Sequence, residues 1–274
     1  MKSANLPINY NQYSPGQWEA KRTEVIVETP VSLTVNGEIW LTFMCTPVHL
    51  EALAIGFLFN EGLIVSLDDI ADVRLCAAGD NVDVWTNHEL EKPGQWRRTS
   101  GCTGGMTSVA NETRGRRISN GGSLPAGRVG ELVAQLFESQ ELYKSSGGVH
   151  TSALSDGKRI ILTAEDIGRH NTLDKLAGRM LLEEIRLMRK IILTTGRISS
   201  EMLQKSHRMG VSIVISRTSP SSLSIELAEN LGVTLVGYAR RNRFNVYTHP
   251  QRILLLATSI SQAHDEHILP EIVA

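Results

Sequence analysis

Cysteine is scarce in this chain, with three among 274 residues. Cys45, Cys76 and Cys102 lie far apart, so they form neither a disulfide framework nor a spacing typical of a zinc site. Long apolar runs are missing too. The most apolar stretches, Ala52–Phe59 and Ile253–Ala257, fall far short of the ~20 residues a membrane-spanning helix needs. The opening residues, Met1-Lys2-Ser3-Ala4-Asn5-Leu6-Pro7, are polar and hold no apolar core of a secretory signal. The cytoplasm is therefore the expected compartment. Neither sign of charge is in excess. Against 28 basic residues stand 29 acidic ones, for a net charge of -1, which gives no global reason to expect nucleic acid as a partner. No internal repeat or low-complexity tract stands out. The remaining composition, 41% apolar and 21% charged, is that of an ordinary soluble globular chain long enough for two domains.

The first region, residues 1–96, reads as a small α+β domain. Thr23–Glu28 alternates valine with polar residues. Val31–Val35 and Glu38–Cys45 flank Asn36-Gly37, a strong hairpin signal because both residues tolerate positive φ. The pattern then predicts a helix over about Pro47–Asn60, stopped by Gly62, and a second hairpin of Val73–Cys76 with Val82–Thr86. Cys45 and Cys76 sit in strand-like runs and are read as buried small apolar residues.

Residues 97–124 break the pattern. They carry Arg97, Arg98, Arg114, Arg116 and Arg117 among six glycines and almost no apolar periodicity, which predicts a long basic loop. Cys102 lies in its Thr99-Ser100-Gly101-Cys102-Thr103-Gly104-Gly105 run. Nearby cations and backbone N–H dipoles favour a thiolate, and glycines let the backbone approach the sulfur. An incidental loop cysteine is the bland alternative.

From Pro125 onward, residues 125–274 read as an α/β domain. Val129, Leu132, Val133, Leu136 and Phe137 mark one helix face. Strands Gly148–Leu154 and Arg159–Ala164 follow, then three helix–strand units: Asn171–Leu187 with Lys190–Thr194, Ser199–Met209 with Val211–Ser216, and Ser221–Leu231 with Val233–Tyr238. Phe244–Tyr247 adds an expected edge strand. Alternating helices and strands imply parallel pairing. The order is similar to the cytidine-deaminase-like fold, a mixed sheet flanked by helices whose zinc sits where two helices begin. Here those corners read Glu165-Asp166-Ile167-Gly168-Arg169-His170-Asn171 and Thr195-Gly196-Arg197-Ile198-Ser199-Ser200-Glu201. No cysteine follows Cys102, so a deaminase-type zinc site, or any other metal, is not expected.

Both corners are candidate anion sites, because helix starts present free N–H groups. Gly196, Arg197 and Ser199 suit phosphate, with plain N-capping as the alternative. Asp166, Arg169 and His170 add polar chemistry, and Asp166 with His170 reads as a candidate acid/base pair. His150 is a further candidate for the same pocket. Tyr238, Ala239, Arg240, Arg241, Asn242 and Arg243 follow the last sheet strand, where ligands of open α/β sheets bind, or else form a solvated basic turn.

The runs Asn60-Glu61-Gly62-Leu63-Ile64, Glu165–Lys175, Thr195–Ser199, Ser219-Pro220, Glu226-Leu227-Ala228 and Gly232–Tyr238 resemble the FdhD/NarQ family, from about Val25 to Tyr247. The resemblance implies a formate dehydrogenase accessory protein. It implies a sulfurtransferase in which Cys102 takes sulfur from a cysteine desulfurase as a persulfide. That sulfur would pass to the Mo-bis(molybdopterin guanine dinucleotide) cofactor of the formate dehydrogenase catalytic subunit. It also implies cofactor binding at 238–243. Many family members carry a second cysteine three residues on, where this chain has Gly105. The alternative functions are a non-catalytic chaperone for that guanine-nucleotide-containing cofactor, or a hydrolase pairing Cys102 with His150 or His170. A homodimer is the expected assembly.

Overall fold

The computed structural model describes residues 3–94, 96–98, 106–108, 116–119 and 121–255. The chain opens with an arm. β1 (Asn5–Ser14) folds back on β2 (Gln17–Ile26) through a two-residue turn in which Gly16 takes φ +90°. Most of this ladder is exposed. It is held at its base, where Asn5 Nδ2 donates to Ser145 Oγ at 2.7 Å. The sequence reading expected a strand only over Thr23–Glu28. β1 has no core to bury, and Pro7 and its asparagines blur the alternation that reveals a half-buried strand.

β3 (Thr29–Val35) and β4 (Glu38–Cys45) form the expected hairpin, with Asn36 at φ 50° and Gly37 at φ 83°. After α1 (Leu50–Asn60), β5 (Ile70–Leu75) and β6 (Asn81–Thr86) complete a sheet of order β4-β3-β6-β5. Val31, Leu33, Phe43, Leu53, Phe57 and Val84 lead its core. Cys45 is buried as expected. Cys76 is not: it lies in the β5–β6 turn, half-exposed, where its sulfur accepts the Asp80 and Asn81 N–H groups at 3.4 and 3.3 Å.

Within the expected loop, β7 (Trp96–Arg98) pairs antiparallel with β8 (Met106–Ser108), and β9 (Leu124–Pro125) pairs parallel with β16 (Ile253–Leu254) near the chain's end. Next come α2 (Ala126–Glu138), the short α3 (Leu142–Ser146), β10 (His150–Ser155), β11 (Ile160–Asp166), α4 (Arg169–Leu182), β12 (Ile191–Thr194), α5 (Ser200–Arg208), β13 (Ile213–Ser216), α6 (Ser222–Leu231), β14 (Thr234–Gly237) and β15 (Asn245–Val246). α4 ends five residues earlier than the expected Asn171–Leu187, because Glu184 turns to φ 49° just past its end.

The second sheet has the order β11-β10-β12-β13-β14-β15. β11 to β14 run in one direction, while β10 and β15 oppose them. The sheet is therefore mixed, as expected from the sequence. Alternation along its strands separates two cores. Leu154, Ile192, Val214 and Leu235 pack with α4, α5 and α6. Ala153, Ile191, Leu193, Ile213, Ile215 and Val236 pack with α2.

α1 lies directly on α4, and two glycines make the crossing possible. A Cβ on Gly56 would stand 1.8 Å from Asp174 O, and one on Gly178 would stand 1.9 Å from Ala52 O. Buried charge ties the same elements together. Lys205 of α5 bonds both Asp174 oxygens, at 2.8 and 2.7 Å, and lies 3.3 Å from Glu61. Among the described residues no helix is long and apolar enough to cross a membrane.

Candidate functional site at the strand ends

β11 to β14 deliver their carboxyl ends to one edge of the sheet, and the loops leaving β12 to β14 are cross-tied. The Thr195 N–H donates to Thr151 O at 2.9 Å, and the Ser216 hydroxyl donates to Gly196 O at 2.7 Å. The Arg217 N–H reaches Thr194 O at 3.1 Å, and the Ser221 N–H reaches Ile198 O at 3.0 Å. β14 joins through Tyr238 N–H to Thr218 O at 3.0 Å and Ala239 N–H to Ser216 O at 2.9 Å. Each loop satisfies its neighbour's backbone groups, so the spacing of the side chains above them is set by main chain.

Positive charge gathers on this ridge. Arg240 Nη1 donates to Arg217 O at 2.7 Å, and Arg217 Nη1 donates to Ala239 O at 3.2 Å. The Arg217 guanidinium also lies over the Phe137 ring, 4.8 Å from its centroid. Burial, then the charge of Arg240, lowers the Arg217 pKa, yet a guanidinium stays protonated in water. Arg197 is exposed on the adjoining loop. Arg169, buried at the start of α4, lies against Gly196: a Cβ there would stand 3.0 Å from Arg169 Cβ and 3.6 Å from His150 Nδ1. Gly196 therefore lets the two loops close on each other. Tyr238 holds φ 52°, a left-handed conformation uncommon outside glycine, with its ring exposed. Arg240, Arg241, Asn242 and Arg243 form an exposed turn closed by Arg240 N–H to Arg243 O at 2.8 Å, and Gly130 of α2 backs the Arg241 carbonyl.

Two histidines sit beneath the ridge. Burial, then Arg169, lowers the pKa of His150. His170 is 3% exposed, and burial is also the largest cause of its lowered pKa. Its Nε2 lies 3.3 Å from Ser199 Oγ and 3.8 Å from Glu201 Oε2. The His170 ring, then the Ser199 hydroxyl, lowers the Glu201 pKa to about 2 against the cost of burial. Ser199 also does ordinary capping, accepting the Met202 N–H at 3.4 Å.

Asp166 faces inward. Its Oδ1 accepts from the Gly168 N–H at 2.7 Å and Asn171 Nδ2 at 2.9 Å. Its Oδ2 accepts the Thr46 N–H at 3.1 Å and pairs with Lys175 Nζ at 2.6 Å, both side chains being fully buried. The carboxylate thus joins β4 to the start of α4, and the pairing with His170 read from the sequence is replaced by these four donors. Cys102, the candidate nucleophile, lies outside the described residues, between β7 and β8, so its pairing with His150 or His170 lies outside them too.

The structure thus brings Arg169, His170, Gly196, Arg197, Ser199, Tyr238, Ala239 and Arg240 to one edge, with His150. Sequence reasoning missed two members. Arg217 directly follows a strand, the same signal that found Arg240. Glu201 read as an ordinary first-turn acid. A separate cavity of about 420 Å³ lies at the outer edge of β11, lined by His49, Leu142, Thr163, Glu165 and Arg179 among others. Among the described residues no group of three or more His, Cys, Asp or Glu side chains is placed to hold a metal.

This fold is shared with known proteins. Residues 26–254 match the model of the FdhD/NarQ family, and the chain belongs to that family. Among its relatives, the sulfur carrier protein FdhD of Bacillus pumilus is 37% identical over 89% of this chain and 95% of its own length. The sulfur carrier protein FdhD of Staphylococcus aureus is 33% identical over 92% of this chain and 98% of its own. A crystal structure of a protein described as a formate dehydrogenase accessory protein, from Desulfotalea psychrophila, superposes with a TM-score of 0.80. Its identity is 30%, covering 92% of this chain and all of that one.

Proposed function

We propose that this protein is a cytoplasmic sulfur carrier for formate dehydrogenase, with Cys102 as the sulfur-bearing residue. The Cys102 thiolate attacks the terminal sulfur of a cysteine desulfurase persulfide. The desulfurase thiolate leaves, and Cys102 holds the new persulfide. The exchange is balanced and needs no external oxidant. The acceptor is the Mo-bis(molybdopterin guanine dinucleotide) cofactor, bound before it reaches the dehydrogenase catalytic subunit.

The observation that carries the cofactor half of this reading is the cross-tied cationic ridge at the strand ends. A guanine dinucleotide presents phosphates and an aromatic base. Arg197, Arg217 and Arg240 suit the phosphates, and the exposed Tyr238 ring suits stacking on the base. When bound, the cofactor supplies the molybdenum centre that receives sulfur, and this chain's residues bind and orient its nucleotide ends. We read the six-stranded sheet as cytidine-deaminase-like in strand order. His170 and Ser199 then stand at the two helix starts where that fold would carry zinc ligands. The homodimer belongs to the same reading, and the β1–β2 arm supports it. Leu6, Ile8 and Tyr10 lie exposed along one of its faces, and Tyr13 and Trp18 at its tip. An isolated two-stranded ribbon is marginal in water without something to cover it.

GDP binding tests the ridge. Arg217→Ala and Arg240→Ala should each weaken it by roughly tenfold, the scale of one charge-assisted hydrogen bond. Cys102→Ala should leave formate dehydrogenase inactive in a strain relying on this protein. Full activity there would overturn the sulfur-carrier reading. A second reading, a cofactor chaperone through which no sulfur passes, is favoured by one observation: Gly105 stands where a second cysteine of the motif would be. Tight GDP binding with no persulfide on Cys102 would select it.

A further inference from the structure

We propose that His170 and Glu201 form a proton-accepting couple beneath the ridge, and that binding of a phosphate-bearing ligand draws one proton onto His170, closing it onto Glu201. The inference rests on the nucleotide reading above and concerns what lies under it.

The geometry is that of an interaction left half made. Glu201 Oε2 is buried and has no hydrogen-bond partner. The His170 ring nitrogen next to it is 3.8 Å away, too far for a hydrogen bond, and is nearer to the Ser199 hydroxyl at 3.3 Å. A buried carboxylate oxygen without a donor is costly, of the order of 1–3 kcal/mol or more for a charged group. The two side chains come from the first turns of α4 and α5, one on each helix start. A small rotation of the imidazole would convert the contact into a charge-assisted bond, and that requires the ring to be charged.

In the free protein the ring is held neutral. Burial opposes its charge, and so do Arg169 beside it on α4 and Lys205 on α5, while Glu201 alone favours it. Lys205 is already held by Asp174 and Glu61, so Arg169 is the cation that a phosphate would neutralise. A dianion placed against Arg169, with exposed Arg197 as a further anchor, cancels the Arg169 repulsion of the ring and adds attraction of its own. Glu201 then has a charged partner at hand. His150 faces Arg169, Arg197 and Asp166, and its Nδ1 is close to the Gly196 position, so it is the competing acceptor. Its ring has no carboxylate oxygen left open beside it, because the Asp166 oxygens are taken by four donors.

Thermodynamic linkage makes this measurable. If binding raises the His170 pKa, affinity falls as pH rises between the free and bound values, by about tenfold per pH unit at most. GDP binding to the full-length protein at pH 7.5, followed calorimetrically in buffers of different ionisation enthalpy, should show uptake approaching one proton per GDP. Glu201→Gln and His170→Gln should each abolish that uptake, and both should flatten the pH dependence of affinity. Retained GDP binding would show that they are folded, and inorganic pyrophosphate should report the same uptake. GDP that binds wild type without proton uptake would overturn the couple while leaving the nucleotide reading intact. Uptake that persists in both variants would assign the proton to His150 and also overturn it. Failure of both GDP and pyrophosphate to bind wild type would overturn both proposals together.

Discussion

Replacing Asp166 with asparagine removes one charge from a site with no room for compensation. Oδ1 accepts from the Gly168 N–H and Asn171 Nδ2, and Oδ2 accepts from the Thr46 N–H and Lys175 Nζ. Asparagine has one acceptor oxygen. Whichever way its amide is turned, an NH2 group meets two donors, and Lys175 loses its counter-charge while fully buried. Its remaining partners are the Thr46 and Glu165 carbonyls, at 3.0 and 3.3 Å. Breaking a buried pair from one side costs about 3–5 kcal/mol. For a chain of this size that is a fall in Tm of roughly 6–20 °C, read from thermal denaturation by circular dichroism. The double variant Asp166→Leu, Lys175→Met should recover part of the loss, because it removes both charges. GDP affinity of the folded Asp166→Asn protein should stay close to wild type. A Tm within about 3 °C of wild type, combined with lost GDP binding, would refute the reasoning and return Asp166 to the ligand site.

Gly178→Ala should destabilise by about 1–3 kcal/mol or more, because its Cβ would stand 1.9 Å from the Ala52 carbonyl and force α1 off α4; denaturant titration checks it, and a wild-type midpoint would contradict it. Acidification should weaken the fold from about pH 6.5 downward. His49, His150 and His170 all have lowered pKa values in the native state, so below ~6.5 the unfolded chain binds more protons and stability falls through each native value. Glu201, held at about 2, is stabilising above its ordinary carboxylate value, and that contribution is lost as pH falls towards about 2. Urea unfolding across this range should show the decline, less steep in His170→Gln between pH 6.5 and 5; stability rising over that interval would contradict it. For the proposed homodimer, Ile8→Asp on the arm should shift sedimentation from dimer to monomer at micromolar concentration; an unchanged dimer would remove the arm from the interface, and a monomeric wild type would overturn the dimer itself.

Local rules carried the reading furthest where local rules govern. Asn36-Gly37 announced its hairpin because the turn needs positive φ at both residues. Gly232, at φ 72°, closes α6 by the same local requirement. The order of strands and helices, and the rule that loops leaving one end of a sheet meet, placed residues 196–199 and 238–240 together although some forty residues separate them. What was illegible depended on distant partners. Asp166 looked like a site residue because its chemistry is that of one, and only its contact with Thr46, just after β4, shows where it points. The mixed character of the second sheet was expected, but the place of β10 between β11 and β12 is not encoded by spacing. The arm escaped because periodicity reports burial, and the arm buries little. Glu201 was hidden by its ordinary place in a first turn, where an acid needs no further explanation.

The central claim is that sulfur travels on Cys102, and mass spectrometry of the Cys102 peptide tests it most directly. After incubation of the protein with a cysteine desulfurase and cysteine, alkylation and digestion should yield that peptide with one added sulfur. The sulfur should be released by reductant, and the peptides of Cys45 and Cys76 should carry none. A Cys102 peptide that remains unmodified while the desulfurase itself is fully persulfurated would contradict the account.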